Sequence, residues 1–245
     1  MRWYGKSGLT CNRMRTSFLI TALVLLLALP SFAQRKEKLI TIETKYGPIR
    51  LILFDQTPKH KANFLKLTKK HFYDGVLFHR VIPAFMIQGG DPESKKATSD
   101  AMLGSGDVGY TIPAEFVPEL FHQRGAVAAA RDNNPAKASS GCQFYIVQGK
   151  TYDEVTLETQ AKRAGRPFTE AQKEVYKTKG GTPWLDGNYT VFGQVIDGMA
   201  AVDSIAAQPR NEANRPDINI SMMKVTAKKM SKKKITRRYG YVFAR

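Results

Sequence analysis

The sequence of 245 residues predicts a single, mainly β domain with a few helices. Short apolar runs recur along the chain between clusters of glycine, proline, asparagine and aspartate, which is typical of β-strands and their turns. Only a few stretches repeat apolar residues at helical spacing. The composition, 42% hydrophobic and 24% charged, suits a globular domain, and we find no internal repeat.

Residues 1–33 are predicted to be a cleaved signal peptide. Basic residues without an acid precede the apolar run Phe18–Leu29, and Pro30 and Ser31-Phe32-Ala33 follow at the spacing of a cleavage site. This run is shorter than the roughly 20 residues that span a bilayer. We therefore expect a mature chain of residues 34–245 in a bacterial periplasm. Secretion and a membrane anchor through an uncleaved leader are the alternatives.

The mature chain is predicted to begin with a β-hairpin and a helix. Leu39–Thr44 and Ile49–Phe54 are alternating runs on either side of a short turn. Thr57 and Pro58 are residue types favoured at the cap and first position of a helix. Apolar residues at helical spacing continue to Phe72, so this helix should pack on the core.

Two short strands are predicted on either side of a bend. Val76–Val81 and Phe85–Gln88 are apolar runs, which Pro83 and Ala84 separate, and Gly89-Gly90 follows the second. Alternation along a strand places side chains on opposite faces in turn.

The alternation predicts a polar edge on an apolar surface. One face of the first strand should carry an arginine between two apolar residues: Phe78, Arg80 and Ile82. His79 and Val81 should lie on the opposite face, and in the second strand Met86 and Gln88 should share a face. A fixed cation and a neutral amide beside apolar side chains form a site that can bind a polar backbone group attached to a small apolar ring.

The second half of the chain is predicted to be mainly strands. They are expected, with one short helix at Met199–Ala206, at Gly125–Ala130, Gln143–Val147, Thr190–Ile196, Ile218–Ala227 and Ile235–Phe243. Residues 150–182 differ, because Asp153–Arg163 and Thr169–Lys177 have helical patterns and helix-end signals.

Spacing argues against several kinds of site. Gly104–Gly109 fits a GxGxxG pattern, but a polar loop precedes it and no helix follows, so we predict no dinucleotide site. The four histidines lack metal-ligand spacing with cysteines or carboxylates: His60, His71, His79 and His122. We therefore predict no metal and no cofactor. Cys142 is the single cysteine after cleavage, and we expect it to be small and buried.

The formal net charge of +17 allows more than one interpretation. Basic residues cluster at 59–70 and 224–238. No aromatic-interleaved nucleic-acid motif accompanies them, and export argues against such a partner. We favour a solvated basic surface and predict no nucleic acid. Weak electrostatic contact with acidic clients or a membrane surface is the alternative.

The run FHRVIPAFMIQGGD at 78–91 closely resembles the signature of the cyclophilins, the peptidyl-prolyl cis–trans isomerases. Further matches follow in the family's order: Ala128–Ala130, Gln143–Ile146, Trp184–Gly187 and Val191–Gly193. The resemblance extends from about Leu39 to Val225. It implies a closed antiparallel barrel of eight strands capped by helices, in which residues 150–182 are a helical insertion. That insertion is interpreted as a surface excursion or as a lid or second binding surface beside Trp184.

The resemblance implies catalysis of rotation about the bond before proline, whose barrier is about 18–20 kcal/mol. No bond breaks, so a donor that stabilises the twisted amide is sufficient. This role is implied for Arg80, and Gln88 should hydrogen-bond the substrate backbone and help to hold Arg80. The remaining substrate-binding residues implied by the resemblance are Phe85, Met86, Tyr145 and Leu185 in a proline socket, Ala130 and Arg131 in a groove, and Trp184 and Tyr189 near the rim.

Three residues depart from the family pattern. Tyr189 replaces a histidine, Tyr145 a phenylalanine and Arg131 an asparagine, so we expect an altered substrate preference with activity retained. The implied partners are proline-containing polypeptides and unfolded exported proteins, bound by a monomer. The alternative is a non-catalytic peptide-binding module or holdase on the same fold.

Overall fold

The computed structural model describes residues 36–243. The predicted signal peptide, residues 1–33, lies outside the described residues. The strands are β1 Lys36–Thr44, β2 Gly47–Leu53, β3 Phe78–Ile82, β4 Met86–Gly89, β5 Thr111–Ile112, β6 Ala126–Ala129, β7 Ser139–Ser140, β8 Phe144–Val147, β9 Val191–Asp197 and β10 Lys224–Ser231. The α-helices are α1 Pro58–Lys69, α2 Glu154–Ala164, α3 Glu170–Thr178, α4 Met199–Ala206 and α5 Lys232–Tyr239.

Eight strands form one sheet in the order β10-β1-β2-β9-β6-β8-β4-β3, and β5 pairs with β7 separately. All of these pairs are antiparallel. The prediction of a mainly β, antiparallel fold with helices is confirmed. The hairpin, the two strands around the bend and helix α4 also lie where the sequence predicts them.

The sheet order ends at β3 and β10, which do not pair with each other as strands over the described residues. β10 is aligned along β1 from Lys36 opposite Ser231 to Glu43 opposite Lys224. Only the segment before β10 reaches the other edge, where the N–H of Phe78 donates to the carbonyl of Ile220 at 2.8 Å. The ladder is therefore not the continuously closed barrel that the resemblance implies.

The main hydrophobic cluster packs α1 and α4 against the sheet. Phe64 of α1 stacks on Tyr73 with ring centroids 4.8 Å apart and meets the edge of Phe144 in β8 at 5.3 Å. A smaller cluster includes Met86 and Tyr145 and lies beside the pocket described below. The strands near this pocket are therefore buried by apolar contacts with both clusters.

Helix α1 begins as predicted, but its predicted threonine cap is wrong. The side chain of Thr57 makes no capping hydrogen bond. The carboxylate of Glu115 accepts instead from the N–H groups of Lys59 and His60, each at 3.0 Å. A distant loop therefore satisfies the unpaired donors of the first turn.

Helices α2 and α3 lie within one residue of their predicted bounds. Asp153 accepts from the N–H of Thr156 at 2.7 Å, and Thr169 forms a capping box with Gln172. The segment has its own buried cluster, which includes Leu157 of α2 and Tyr176 of α3. No helix in residues 36–243 is long and apolar enough to cross a bilayer.

The end of the chain corrects two predictions. The strand predicted at Ile235–Phe243 is wrong, because Lys232–Tyr239 form helix α5. Ser231 accepts from the N–H of Lys234 at 3.3 Å, and Gly240 ends the helix with a φ of 69°. The preceding strand begins at Lys224 rather than at residue 218, since the residues before it bond to the other edge of the sheet.

Candidate active site

A pocket of about 130 Å³, here called the Arg80 pocket, collects the residues singled out in the sequence. All predicted site residues except Trp184 line it: Arg80, Phe85, Met86, Gln88, Ala130, Arg131, Tyr145, Leu185 and Tyr189. Strands β3, β4 and β8 supply one side, and the loop residues after β6 and before β9 supply the other. The fold therefore brings together residues that are more than a hundred positions apart.

A β-bulge aims Arg80 into this pocket. Phe78 pairs with Gly89 and Arg80 pairs with Gln88, so His79 is an extra residue in β3. Phe78 and Val81 consequently enter the main hydrophobic cluster together. The predicted face shared by Phe78 and Arg80 is wrong, because the prediction assumed unbroken alternation.

The guanidinium of Arg80 is held by an amide. Its Nη1 donates to Oε1 of Gln88 at 3.3 Å, and Nε2 of Gln88 donates to Oε1 of Gln143 at 3.2 Å. Nε2 of Gln143 donates in turn to the carbonyls of Gly104 at 2.9 Å and Gly106 at 2.8 Å. Since the nitrogen of Gln143 is occupied, its oxygen faces Gln88 and leaves the oxygen of Gln88 for Arg80.

The loop whose Gly104 and Gly106 carbonyls bind Gln143 is held in place by a buried carboxylate. Oδ2 of Asp91 accepts from the N–H of Gly104 at 2.5 Å and of Gly106 at 3.3 Å. A Cβ at Gly106 would lie 2.1 Å from Oδ1 of Asp91, so a side chain there would displace the carboxylate. Sequence analysis missed Gln143 as a site residue, although the motif that contains it was identified.

Arg80 is half-buried, and among the described residues its guanidinium forms no salt bridge. It lies 6.0 Å from the ring centroid of Phe85. Burial lowers the pKa of Arg80, and Tyr189 acts in the opposite direction. An arginine remains charged near neutral pH despite such a shift. Arg80 therefore lines the pocket as a cation, and Nη1 is the only guanidinium nitrogen that donates to another described residue.

A second chain of hydrogen bonds begins at the apolar end of the pocket. The hydroxyl of Tyr145 lies 2.9 Å from Nε2 of His122, and Nδ1 of His122 lies 2.8 Å from Oδ1 of Asp186. Oδ2 of Asp186 accepts from the hydroxyl of Tyr176 in α3 at 2.7 Å. The carboxylate can only accept, so Nδ1 of His122 donates and Nε2 accepts from Tyr145.

All four side chains of this second chain are buried, with exposures of 0–4%. Burial, followed by nearby charge, raises the pKa of both tyrosines well above its usual range. Both hydroxyls therefore stay protonated as donors. The chain joins the pocket to helix α3, and no sequence pattern predicted it, because its members are far apart in the sequence.

The rim of the pocket is aromatic and basic. The ring of Trp184 lies 5.5 Å from that of Phe85, outside the pocket lining, with the guanidinium of Arg163 5.7 Å from it. Arg131 lies 4.7 Å over the ring of Tyr189 and donates through Nε to the carbonyl of Asn188 at 3.0 Å. The segment 150–182 therefore contacts the rim.

Other reactive groups are absent from the pocket lining. Cys142 is a free, buried cysteine, as predicted, and burial raises its pKa to about 11. In the part of the chain that the structure describes, no group of three or more histidine, cysteine or carboxylate side chains could hold a metal ion. The pocket offers one cation, amide groups and apolar surface.

Comparisons with known proteins agree with this geometry. The family model described as cyclophilin type peptidyl-prolyl cis-trans isomerase/CLD matches residues 39–227. A protein of Staphylococcus epidermidis, named as a candidate peptidyl-prolyl cis-trans isomerase, is 39% identical over 184 residues, which are 75% of this chain and 88% of that protein. A candidate bifunctional phosphatase/peptidyl-prolyl cis-trans isomerase of Streptococcus pyogenes is 40% identical over 191 residues, but this chain spans only 38% of its length.

A solved structure supports the same assignment. A cyclophilin type peptidyl-prolyl cis-trans isomerase of Cryptosporidium parvum superposes with a TM-score of 0.59 at 26% identity, covering 78% of this chain and 98% of that one. The same protein in the presence of the dipeptide Ala-Pro gives a TM-score of 0.55, with coverages of 76% and 96%. This chain belongs to the family of cyclophilin-type peptidyl-prolyl cis-trans isomerases.

Proposed function

We propose that the Arg80 pocket is the active site of this isomerase, where it accelerates rotation about X–Pro peptide bonds. The single observation that carries the proposal is the placement of Arg80. Its guanidinium has no carboxylate partner among the described residues, is steered by Gln88 and lies at the edge of an apolar hollow. The related structure in the presence of Ala-Pro supports a proline-containing ligand.

The chemistry follows from the geometry. Rotation breaks amide resonance and localises the lone pair on the prolyl nitrogen. A cationic donor aimed at that nitrogen stabilises the twisted amide more than either planar form. The rotation needs no proton transfer, so the raised pKa values of Tyr145 and Cys142 are no obstacle to it.

The other lining residues have binding roles in this proposal. Phe85, Met86, Tyr145 and Leu185 hold the proline ring. Gln88 bonds the substrate backbone, and Ala130 and Arg131 line the groove for the preceding residues. The N–H and C=O of Arg131 have no hydrogen-bond partner within residues 36–243, so they are free for a peptide. Trp184 covers the rim beside Phe85.

The cellular role is a further part of the proposal. The leader-like residues 1–33 support a periplasmic protein that assists the folding of exported proteins, and we propose that it acts as a monomer. The basic surface supports weak contact with anionic membranes. Residues 150–182 are proposed as a helical insertion in the family fold, whose two sheet edges are bridged by the backbone bonds of Ile220–Met222.

A protease-coupled assay with a prolyl tetrapeptide tests the mechanism. Arg80→Ala should lower kcat/KM by about 100- to 1,000-fold, as expected for the loss of one preorganised charged donor. The matched control is Arg210→Ala, which removes an exposed arginine bonded to Asn214 and should leave turnover unchanged. An unchanged rate in Arg80→Ala, with the fold intact, would reject the role of Arg80. Peptide binding without turnover in the unmodified protein would favour a binding module.

A further inference from the structure

A second groove, here called the Arg166 groove, adjoins the Arg80 pocket. Its volume is about 410 Å³. Arg166 and Pro167, from the connection between α2 and α3, line it together with four residues of the loop before β6: Phe116, Val117, Pro118 and Leu120. Val191 at the start of β9 also contributes. The groove therefore exists because the helical segment stands beside this loop.

Tyr189 joins the two cavities, since it lines both of them. Its ring meets the edge of Tyr145 with centroids 6.0 Å apart, and Arg131 covers it at 4.7 Å. An extended polypeptide advances roughly 3.3–3.6 Å per residue. A chain with its proline in the Arg80 pocket can therefore enter the Arg166 groove within a few residues of that proline.

The groove has an exposed apolar wall. Phe116 is 39% exposed, although it is a large aromatic side chain, and Val117 and Leu120 lie beside it in the lining. Apolar surface that is contiguous and rimmed by polar residues is typical of an interaction site. An apolar or aromatic side chain of a ligand is the natural occupant of this wall.

The rim of the groove is positively charged. Nζ of Lys137 lies 5.8 Å from the ring centroid of Phe116, and Arg131 lies over Tyr189. Arg166 packs beside Gly187, where an added Cβ would lie 3.5 Å from its Cδ. None of the three cations forms a salt bridge with another residue of the described chain.

The acids close in sequence to these residues leave this positive character in place. Asp186, which precedes Gly187, is buried and engaged by His122 and Tyr176. Glu115 is engaged by His60 at 2.6 Å and by the start of α1. Asp132 accepts from Asn134, outside the groove lining. Glu119 is exposed and is not among the lining residues.

We propose that the Arg166 groove binds the part of the substrate polypeptide that flanks the proline, and that it selects an apolar or aromatic residue beside an acidic one. This inference rests on the proposed function of the Arg80 pocket. The occupant is part of the same chain as the proline, because the two cavities share Tyr189. The selection follows from Phe116 and from Arg166, which forms no salt bridge within residues 36–243.

Peptides of increasing length test the groove. A prolyl tetrapeptide is compared with peptides that carry Phe-Glu, Phe-Lys or Gly-Gly pairs two to four residues before or after the proline. KM and kcat come from the coupled assay, and Kd comes from fluorescence anisotropy. We expect Phe-Glu on one side to lower KM and Kd about fivefold relative to Gly-Gly, with kcat unchanged, the effect of one partly exposed charge pair with apolar contact.

Two variants locate the effect. Arg166→Glu should reverse the preference for Phe-Glu over Phe-Lys, and Phe116→Ala should remove the advantage of phenylalanine. Both should turn over the tetrapeptide as the unmodified protein does, and Arg210→Glu is the control for a change in overall charge. No flank dependence of Kd or KM on either side would overturn the groove. Failure to turn over the tetrapeptide would instead reject the proposed function, while Kd would still test the groove.

Discussion

Two chains of hydrogen bonds run through cross-strand neighbours in the pocket, and they differ in whether they leave donors free for a ligand. Gln88 and Tyr145 lie opposite each other in β4 and β8. The chain through Gln88 ends at the half-buried Arg80, whose guanidinium has unused donors. The chain through Tyr145 is buried throughout and ends inside the helical segment at Tyr176.

The two chains therefore have different roles, one in catalysis and the other in stabilising the fold. The open chain presents a cation to a ligand, so we expect damage to it to lower activity more than stability. The closed chain pairs each of its buried groups, so damage leaves polar groups without partners and should lower stability. Three changes, from the largest expected effect to the smallest, test this contrast.

The largest expected effect is on stability, from Asp186→Ala. The carboxylate accepts from the N–H and Nδ1 of His122 and from the hydroxyl of Tyr176. Its removal leaves three buried donors unpaired, so we expect the free energy of unfolding to fall by about 3–5 kcal/mol. Urea denaturation measures this change.

The matched control for Asp186→Ala is Asp203→Ala, which removes a more exposed carboxylate bonded to Arg124. It should cost at most about 1 kcal/mol. Equal losses in the two variants would show that the buried chain adds no special support.

The second effect concerns a histidine that joins neither chain. His79 is the extra residue of the bulge beside Arg80, is 4% exposed, and has no hydrogen-bond partner for either ring nitrogen within the described chain. Burial lowers its pKa to about 4 from an ordinary value of 6.5, although Asp91 acts in the opposite direction.

The lowered pKa of His79 fixes the direction of a pH effect. Between these values the unfolded chain binds the proton more readily than the folded one, so stability is complete above pH 6.5 and is lost as the pH falls towards 4. The loss should reach about 3 kcal/mol at lower pH. His79→Leu should remove this component from unfolding curves measured over that range. Parallel curves for the two proteins would contradict the assignment, since His60 titrates in both.

The smallest effect is on turnover, from Gln143→Ala. This change frees the amide of Gln88 and the carbonyls of Gly104 and Gly106. Arg80 then loses its steering, so kcat should fall about tenfold with KM little changed. Gln208→Ala is the control, since this residue follows the end of α4 and, within the described chain, its side-chain amide only donates to the carbonyl of Ser204. A change in KM alone would indicate substrate binding rather than positioning of Arg80.

Local pattern was sufficient for much of the fold. The strands around the bend and the helices α2 to α4 lie where the sequence predicts them, because alternation and helix-end signals act over a few residues. Helix α5 was missed, although Ser231 and Gly240 mark its ends. Its residues are mostly basic and Ile235 is its one buried residue, so no apolar repeat at helical spacing indicated a helix.

The sequence by itself determined which residue types meet at the pocket: a cation, an amide and apolar side chains in a recognisable order. Only the tertiary structure decided the bulge at His79, the amide orientation of Gln143 and the burial of His122 with Asp186. The physical reason is that buried polar groups must find partners, and the partners available are those that the folded chain brings near, however far apart they lie in sequence.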